Sequence, residues 1–508
     1  MKWAIPFSVA LLCSLNQLGG QTKINILSSD ITDIIKQKDG SRKYFLRGNV
    51  GLQQDVAIMT CDSAILIQPD NTFEAFGRVK IVQSDTTVVT GEKLDYSGKD
   101  RTFVIRDNVK LTTPNSTLST TALTYNRSTS TARYSTRSTL YRKNLELTSN
   151  KGLYNTESEV IVLQGNVEAI DPEYTLYTDT LIYFPSDNRY DFAGPSILKR
   201  DRSTTRCMVG SYDAESSQLN LGHGASISSP GSYIFADSIS YNLEGEYGEL
   251  FSSALVSDSI EGFVLESNYI NYIKSPNYVD AYSPVFYRQN MDDGDTLYAK
   301  GDTLSIRQDS LDARTVNLLN NTAFFSRNFQ GRSTFFRYHE RTEQLLLFPQ
   351  PQLWSEQSQF SADSAILKLK DKKLDSLYLV DKVSILSQTK DSSLYDQAVG
   401  KTLEGFFYEN KLNNLLLLGN AQNLMHSFGT GDALQGINTT ACSWIEITFE
   451  NGEAESVKAS QSVDASYIPW AKVSNEQKHL PNCAPHFDLR VTLEATRPRF
   501  TAPESPEY

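Results

Sequence analysis

The chain has 508 residues, a net charge of −12, 26 Tyr, 24 Phe and only 17 Pro. The acidic balance argues against a nucleic-acid partner, because phosphate binding is carried by Lys and Arg. Abundant aromatic, β-branched and hydroxyl residues, with no sustained helical spacing, point to an all-β protein.

Residues 1–20 read as an export signal. Lys2 supplies a short positive region, "AIPFSVALLCSL" an apolar stretch too short for a bilayer span, and Gly19-Gly20 a small-residue exit. Leu18 fits the cleavage pattern poorly, so the cut is left open. Leu12 before Cys13 disfavours lipid attachment there, which wants a small residue. No later run of apolar residues is long enough for a membrane-spanning helix.

From residue 21 to 273 the chain repeats. Tyr96, Tyr125, Tyr154, Tyr183, Tyr212 and Tyr241 follow one another at intervals of 29 residues. Two positions earlier stand Leu94, Leu123, Leu181 and Ile239, broken by Gly152 and Gly210. A second landmark is "GNV" at 48–50, "GRV" at 77–79, "DNV" at 107–109 and "GNV" at 165–167. A third opens the Tyr strand, as in "DSAIL" at 62–66, "DTLIY" at 179–183 and "DSISY" at 237–241, and returns in "DTLSI" and "DSAIL" at 302 and 363. Self-similarity at this period signals a stacked array. Apolar residues two apart with polar ones between mark a strand with one buried face, and Gly, Asn and Asp supply the turns. Each unit is then two bent strand passes and two turns. The tyrosines form a ladder whose neighbours are near enough to stack, and one inserted residue would flip the next strand.

Residues 274–297, with two Ser-Pro pairs and an acidic turn, read as an interrupting loop segment. A second, less regular array is expected over 298–470. Residues 471–508 read as a C-terminal extension ending in a disordered tail, "RPRFTAPESPEY". Cys61, Cys207, Cys442 and Cys483 show no metal-ligand spacing, and only Cys442 and Cys483 are near enough in sequence to suggest a disulfide. The five histidines are scattered, and no HExxH, GxSxG or P-loop occurs. The chain is accordingly expected to be no enzyme and to carry no metal and no cofactor. Asp followed by Ser or Thr and an aliphatic residue recurs, making Ser63, Thr180, Ser238, Thr303 and Ser364 candidates for O-glycans. The simpler account is that the pair serves the turn before each strand.

The alternating stretches "LRGNVGLQQDVAIMTCDSAIL", "FGRVKIVQSDTTVVTGEKLDY" and "VLQGNVEAIDPEYTLYTDTLIY" resemble the OstA/LptA-like repeat of the organic-solvent-tolerance and lipopolysaccharide-transport family. The resemblance covers about residues 30–255 well and 295–465 loosely. It implies an elongated, stacked, V-shaped β-jellyroll in which two sheets face each other around an apolar groove. It further implies a periplasmic protein, in association with the outer membrane, that holds lipopolysaccharide or a related glycolipid by its acyl chains. Other jellyroll proteins would join it by end-to-end strand addition, forming part of a bridge toward the outer membrane.

Stacking at two strand steps of about 4.8 Å per unit gives a rod on the order of 140 Å. The expected groove lining is Val50, Val79, Ile81, Leu94, Val109, Leu111, Leu123, Val167, Leu181 and Ile239. The six tyrosines are expected at its border, where hydroxyls reach water or sugar. The rival expectation is a closed, structural β-solenoid with a filled core and no lipid cargo.

Overall fold

The computed structural model describes residues 23–497, apart from positions 69, 84–85, 274–277, 292–293, 312, 371–372, 392, 409–410 and 451–452. The export signal and all but the first residue of the expected tail lie outside the described residues. The chain divides into two compact units, Met1–Phe192 and Ala193–Tyr508. Strands dominate both; the α-helix among the described residues is the single turn Leu493–Thr496.

The first unit is an antiparallel meander. Strands Arg42–Gln54, Ala57–Gln68, Thr72–Gln83, Thr87–Ser97, Thr102–Thr112 and Thr117–Asn126 each pair with the next. The next two passes are split, into Thr131–Tyr134 with Ser138–Arg142 and Leu145–Ser149 with Lys151–Asn155. The ladder rejoins at Ile161–Ile170 and Thr175–Phe184.

Each full pass bends once. The Gly-x-Val landmark is the bend: Gly48-Asn49, Gly77-Arg78, Asp107-Asn108 and Gly165-Asn166 are consecutive residues with positive φ. The ladder registers shift at the same points, as between Phe76 and Val79. An extra residue in one strand kinks it in this way, and Gly or Asn tolerates the left-handed conformation. Buried positions keep one parity through the bend: Phe73 and Ala75 before it, Val79 and Ile81 after it. Both arms of every bent strand therefore turn their apolar side to one interior.

At several corners an acidic side chain from earlier in the chain closes the bend. Asp30 accepts from Asn49 at 3.0 Å, Asp62 takes Arg78 at 2.6 Å and 2.9 Å, and Glu92 accepts from Asn108 at 2.6 Å. In the second unit Asp302 accepts from Asn321 at 2.8 Å, and Asp363 takes Lys382 at 3.2 Å. At Asp62, Asp302 and Asp363 the Asp of the recurrent Asp-Ser/Thr pair thus serves the neighbouring strand's corner, not the turn before its own strand. The hydroxyl residues beside it, Ser63, Thr180, Ser238, Thr303 and Ser364, are half-buried.

The tyrosine ladder differs from expectation in its rungs. Each 29-residue unit contributes two strands, so another residue stands between successive tyrosines. The column of direct partners runs Phe73, Tyr96, Phe103, Tyr125, Ala132, Tyr154, Ile161, Tyr183. The stacking is Phe on Tyr, with ring centroids 4.9 Å apart for Phe73–Tyr96 and 5.2 Å for Phe103–Tyr125.

The second unit continues the same construction from Ser203–Asp213 to Leu434–Glu450. Its corners include His223-Gly224, Ser252-Ser253, Asn320-Asn321, Asp381-Lys382 and Gly419-Asn420, again with positive φ. Most of the expected loop at 274–297 is not loop. Tyr278–Asn290 is a full strand, paired on both sides. Pro284 is tolerated because it falls at the corner, between Tyr282 and Val285, where ladder bonds are already interrupted.

After the last strands the chain runs back along this unit as a strap. Three buried glutamines hold it, Gln397 and Gln359 by its backbone and Gln330 by the Arg490 side chain. Gln397 accepts from Leu480 N at 2.7 Å and donates to Lys478 O at 2.8 Å. Gln359 accepts from His486 N at 2.6 Å and donates to Ala484 O at 3.0 Å. Gln330 accepts from Arg490 at 2.8 Å and 3.0 Å. Phe487 stacks on Tyr395, and Val491 packs with Ala323 and Trp354. The strap ends in Leu493–Thr496, against Thr296–Gln308 and Arg314–Phe325.

Candidate functional site

The expected lining residues fall on two in-phase columns, one per arm. On the arm before the corner, Ala75, Leu94, Ile105 and Leu123 are direct partners in turn. On the arm after it, Met59, Ile81, Val89, Leu111, Leu118, Leu140, Leu147, Ala169 and Leu176 form one unbroken line. Val50, Val79, Val109 and Val167 sit just past their corners on the same face. All ten expected residues are buried, with exposures from 0% at Leu181 to 7% at Ile81. Nine share the interior of the first unit; Ile239 belongs to the second.

The break in the leucine column at Gly152 has a direct cause. Tyr134 is its partner across the ladder, and the phenol ring fills the space a side chain would need. Tyr134 keeps its hydroxyl 2.7 Å from Ser149 Oγ inside the core, and burial pushes the phenol above its ordinary value.

The two arms end in loops that meet across the interior, and polar side chains join them there. The Tyr96 hydroxyl donates to Gln54 Oε1. Arg127 donates to the same oxygen at 2.9 Å and lies 3.7 Å from the Asp55 carboxylate. Tyr154 and Thr113 hydroxyls lie 3.4 Å apart. Glu159 accepts from Arg142 at 2.9 Å and from Asn115 at 3.0 Å. The hydrogen bond from Arg142 holds the Glu159 carboxyl below its ordinary range. Charge-assisted bonds between half-buried partners are the stronger kind. Tyr96, Tyr125, Tyr154 and Tyr183 are buried, while Tyr212 and Tyr241 in the second unit are half-buried. Burial pushes the Tyr241 phenol up to about 12.

The sequence reading placed the apolar columns but missed the clasp. Gln54, Arg127, Arg142 and Glu159 come from strand ends and loops whose opposition depends on the corner, and no local motif marks them. Beneath the clasp, a cavity of about 40 Å³ is lined by Ile24, Leu52, Gln54, Met59, Tyr96 and Arg127, among others. Cys61, Cys207, Cys442 and Cys483 are free thiols. Among the described residues no helix is long and apolar enough to cross a membrane.

The protein is thus an all-β array of bent antiparallel strands with a polar-clasped apolar seam. Residues 21–179 match the family model described as OstA-like protein, and over that stretch the chain is similar to that family. No curated protein matches the chain. Among solved structures, the extracellular domain of a one-component system from B. thetaiotaomicron aligns at 10% identity, with coverage of 89% of this chain and 98% of that one and a TM-score of 0.10. The WD40 domain of SCAP from fission yeast aligns at 9% identity, with coverage of 85% and 99% and a TM-score of 0.10. At such TM-scores neither bears on the fold.

Proposed function

We propose that the protein is an exported, periplasmic, lipopolysaccharide-transport-like carrier, built as a stacked V-shaped jellyroll and performing no catalysis. Acyl chains lie along the seam formed by Leu94, Val109, Leu111 and Leu123 and their column partners. Polar head groups stay outside the clasped mouth. The observation that carries this reading is the coincidence of the OstA-like match with two apolar columns facing one interior, the one after the corner unbroken.

Loading requires the arms to part. Apolar contacts between the arms are then exchanged for contacts with acyl chains, so buried apolar area, worth about 25 cal/mol per Å², is largely conserved. The cost falls on the clasp at Gln54, Arg127, Arg142 and Glu159, which makes the clasp the gate. At the start of the array, Ile31, Ile34 and Ile35 are more than half exposed on Ile31–Lys36, whose one described pairing is to Arg42–Gln54. Such an edge suits strand addition by a jellyroll partner and a place in a bridge toward the outer membrane. Replacing Ile31 and Ile34 by Lys should abolish partner capture.

A second reading, a closed structural scaffold without cargo, is favoured by the near-complete burial of the lining. A photo-crosslinker at Leu123 in living cells separates the two. Trapping of a glycolipid there supports the carrier. Failure at Leu123, Leu94 and Val109 together supports the scaffold.

A further inference from the structure

The second unit contains a larger apolar cavity, of about 220 Å³, outside the OstA-like stretch. It lies between the ends of the two arms, with Leu297, Val316, Phe336, Leu345 and Leu369 among its walls. A neighbouring cavity of about 80 Å³ shares Leu297, Leu345 and Leu369 with it and continues to Phe329 and Leu374. Together they make one narrow slot. The strap described above covers the neighbouring strands and stops against Arg314–Phe325.

The rim is charged. Arg314 stands between Glu261 at 3.0 Å and Glu340 at 2.9 Å, and its backbone N–H also donates to Glu340 at 2.8 Å. One guanidinium faces two carboxylates, so the rim carries an excess negative charge. Tyr338 adds a phenol to the lining.

We propose that this slot binds the single alkyl chain of an amphiphile with an uncharged, hydroxyl-bearing head group. Pockets for drug-sized ligands occupy about 300–1,000 Å³. A 220 Å³ chamber with a narrow extension therefore takes one aliphatic chain and excludes a lipid inserting several. Head-group hydroxyls donate to the Glu261 and Glu340 carboxylates at the mouth. A carboxylate head is repelled, because Arg314 is already neutralised from both sides. The site is separate from the seam of the first unit and does not depend on what that seam carries.

The test is calorimetric titration of the full chain with octyl glucoside and with octanoate, both below their micellar concentrations. One glucoside should bind per chain, at least about tenfold more tightly than octanoate, a difference of about 1.4 kcal/mol. Val316→Phe fills the slot and should weaken the glucoside by about tenfold or more. The double variant Glu261→Gln, Glu340→Gln leaves Arg314 unopposed at the rim. It should reverse the preference toward octanoate, and it keeps the test open if Val316→Phe does not fold. Octanoate binding as tightly as the glucoside, the absence of saturable binding, or an unchanged affinity in folded Val316→Phe would each overturn the proposal. Failure of the Leu123 crosslink would leave all of these outcomes untouched.

Discussion

Replacing Gly152 by Ala should destabilise the first unit, although a strand glycine ordinarily costs stability. Strand preference alone favours Ala over Gly by about 0.5–1 kcal/mol. Here an added Cβ would lie 2.3 Å from Tyr134 Cζ. Tyr134 is 4% exposed and cannot swing into solvent without leaving the core. Overpacking of this kind costs about 1–3 kcal/mol, and loss of the Tyr134–Ser149 hydrogen bond adds about 1 kcal/mol. The net expectation is a loss of roughly 1–3 kcal/mol after the strand preference is subtracted. Urea unfolding followed by circular dichroism measures it as a lower midpoint. In a Tyr134→Ala background the same Gly152→Ala change should be neutral or stabilising, because the ring is gone. A Gly152→Ala chain at least as stable as the native one would refute the account of the broken column.

The clasp should respond to acid. Because hydrogen bonding from Arg142 holds the Glu159 carboxyl below its ordinary range, its contribution is complete above the unfolded value of about 4.3. It is lost as pH falls through the lower, folded value. Amide exchange at Val160 and Ile161 should therefore accelerate below about pH 4, relative to a Glu159→Gln chain that lacks this titration; parallel profiles in the two would contradict the assignment. In the strap, Gln359→Ala removes both backbone bonds at Ala484 and His486. Each such bond is worth about 1 kcal/mol, so limited proteolysis should cut near residues 480–490 faster than in the native chain. Burial raises the Cys61 thiol to about 11 and the Cys207 and Cys483 thiols to about 12. Iodoacetamide at neutral pH should leave these three unmodified until urea is added; ready alkylation of the folded chain would show that they are accessible.

Periodicity carried much of this fold in plain view. The 29-residue interval, the two-residue alternation and the columns through Leu94, Leu123, Leu111 and Tyr125 are properties of strands, whose side-chain period is fixed. The corner was visible only as a recurring Gly-x-Val, since two successive left-handed residues can be filled by Gly-Asn, Asp-Asn, His-Gly or Ser-Ser with no common letter. Pro284 misled for the same reason, reading as a break while occupying a corner. Gly152 read as an interruption because its explanation, Tyr134, lies across the ladder. The strap has no periodicity to detect: it is held by Gln330, Gln359 and Gln397, which use amides in place of a strand's own backbone. The clasp and the slot of the second unit arise only once distant loops are brought together.

Native mass spectrometry of the protein purified from its own host without detergent tests the central claim most directly. The account predicts a bound multi-acylated glycolipid that is lost when Leu94 and Leu123 are both replaced by Trp in a chain that still folds. A native chain observed only at its own mass, with the seam occupied by its side chains alone, would contradict it.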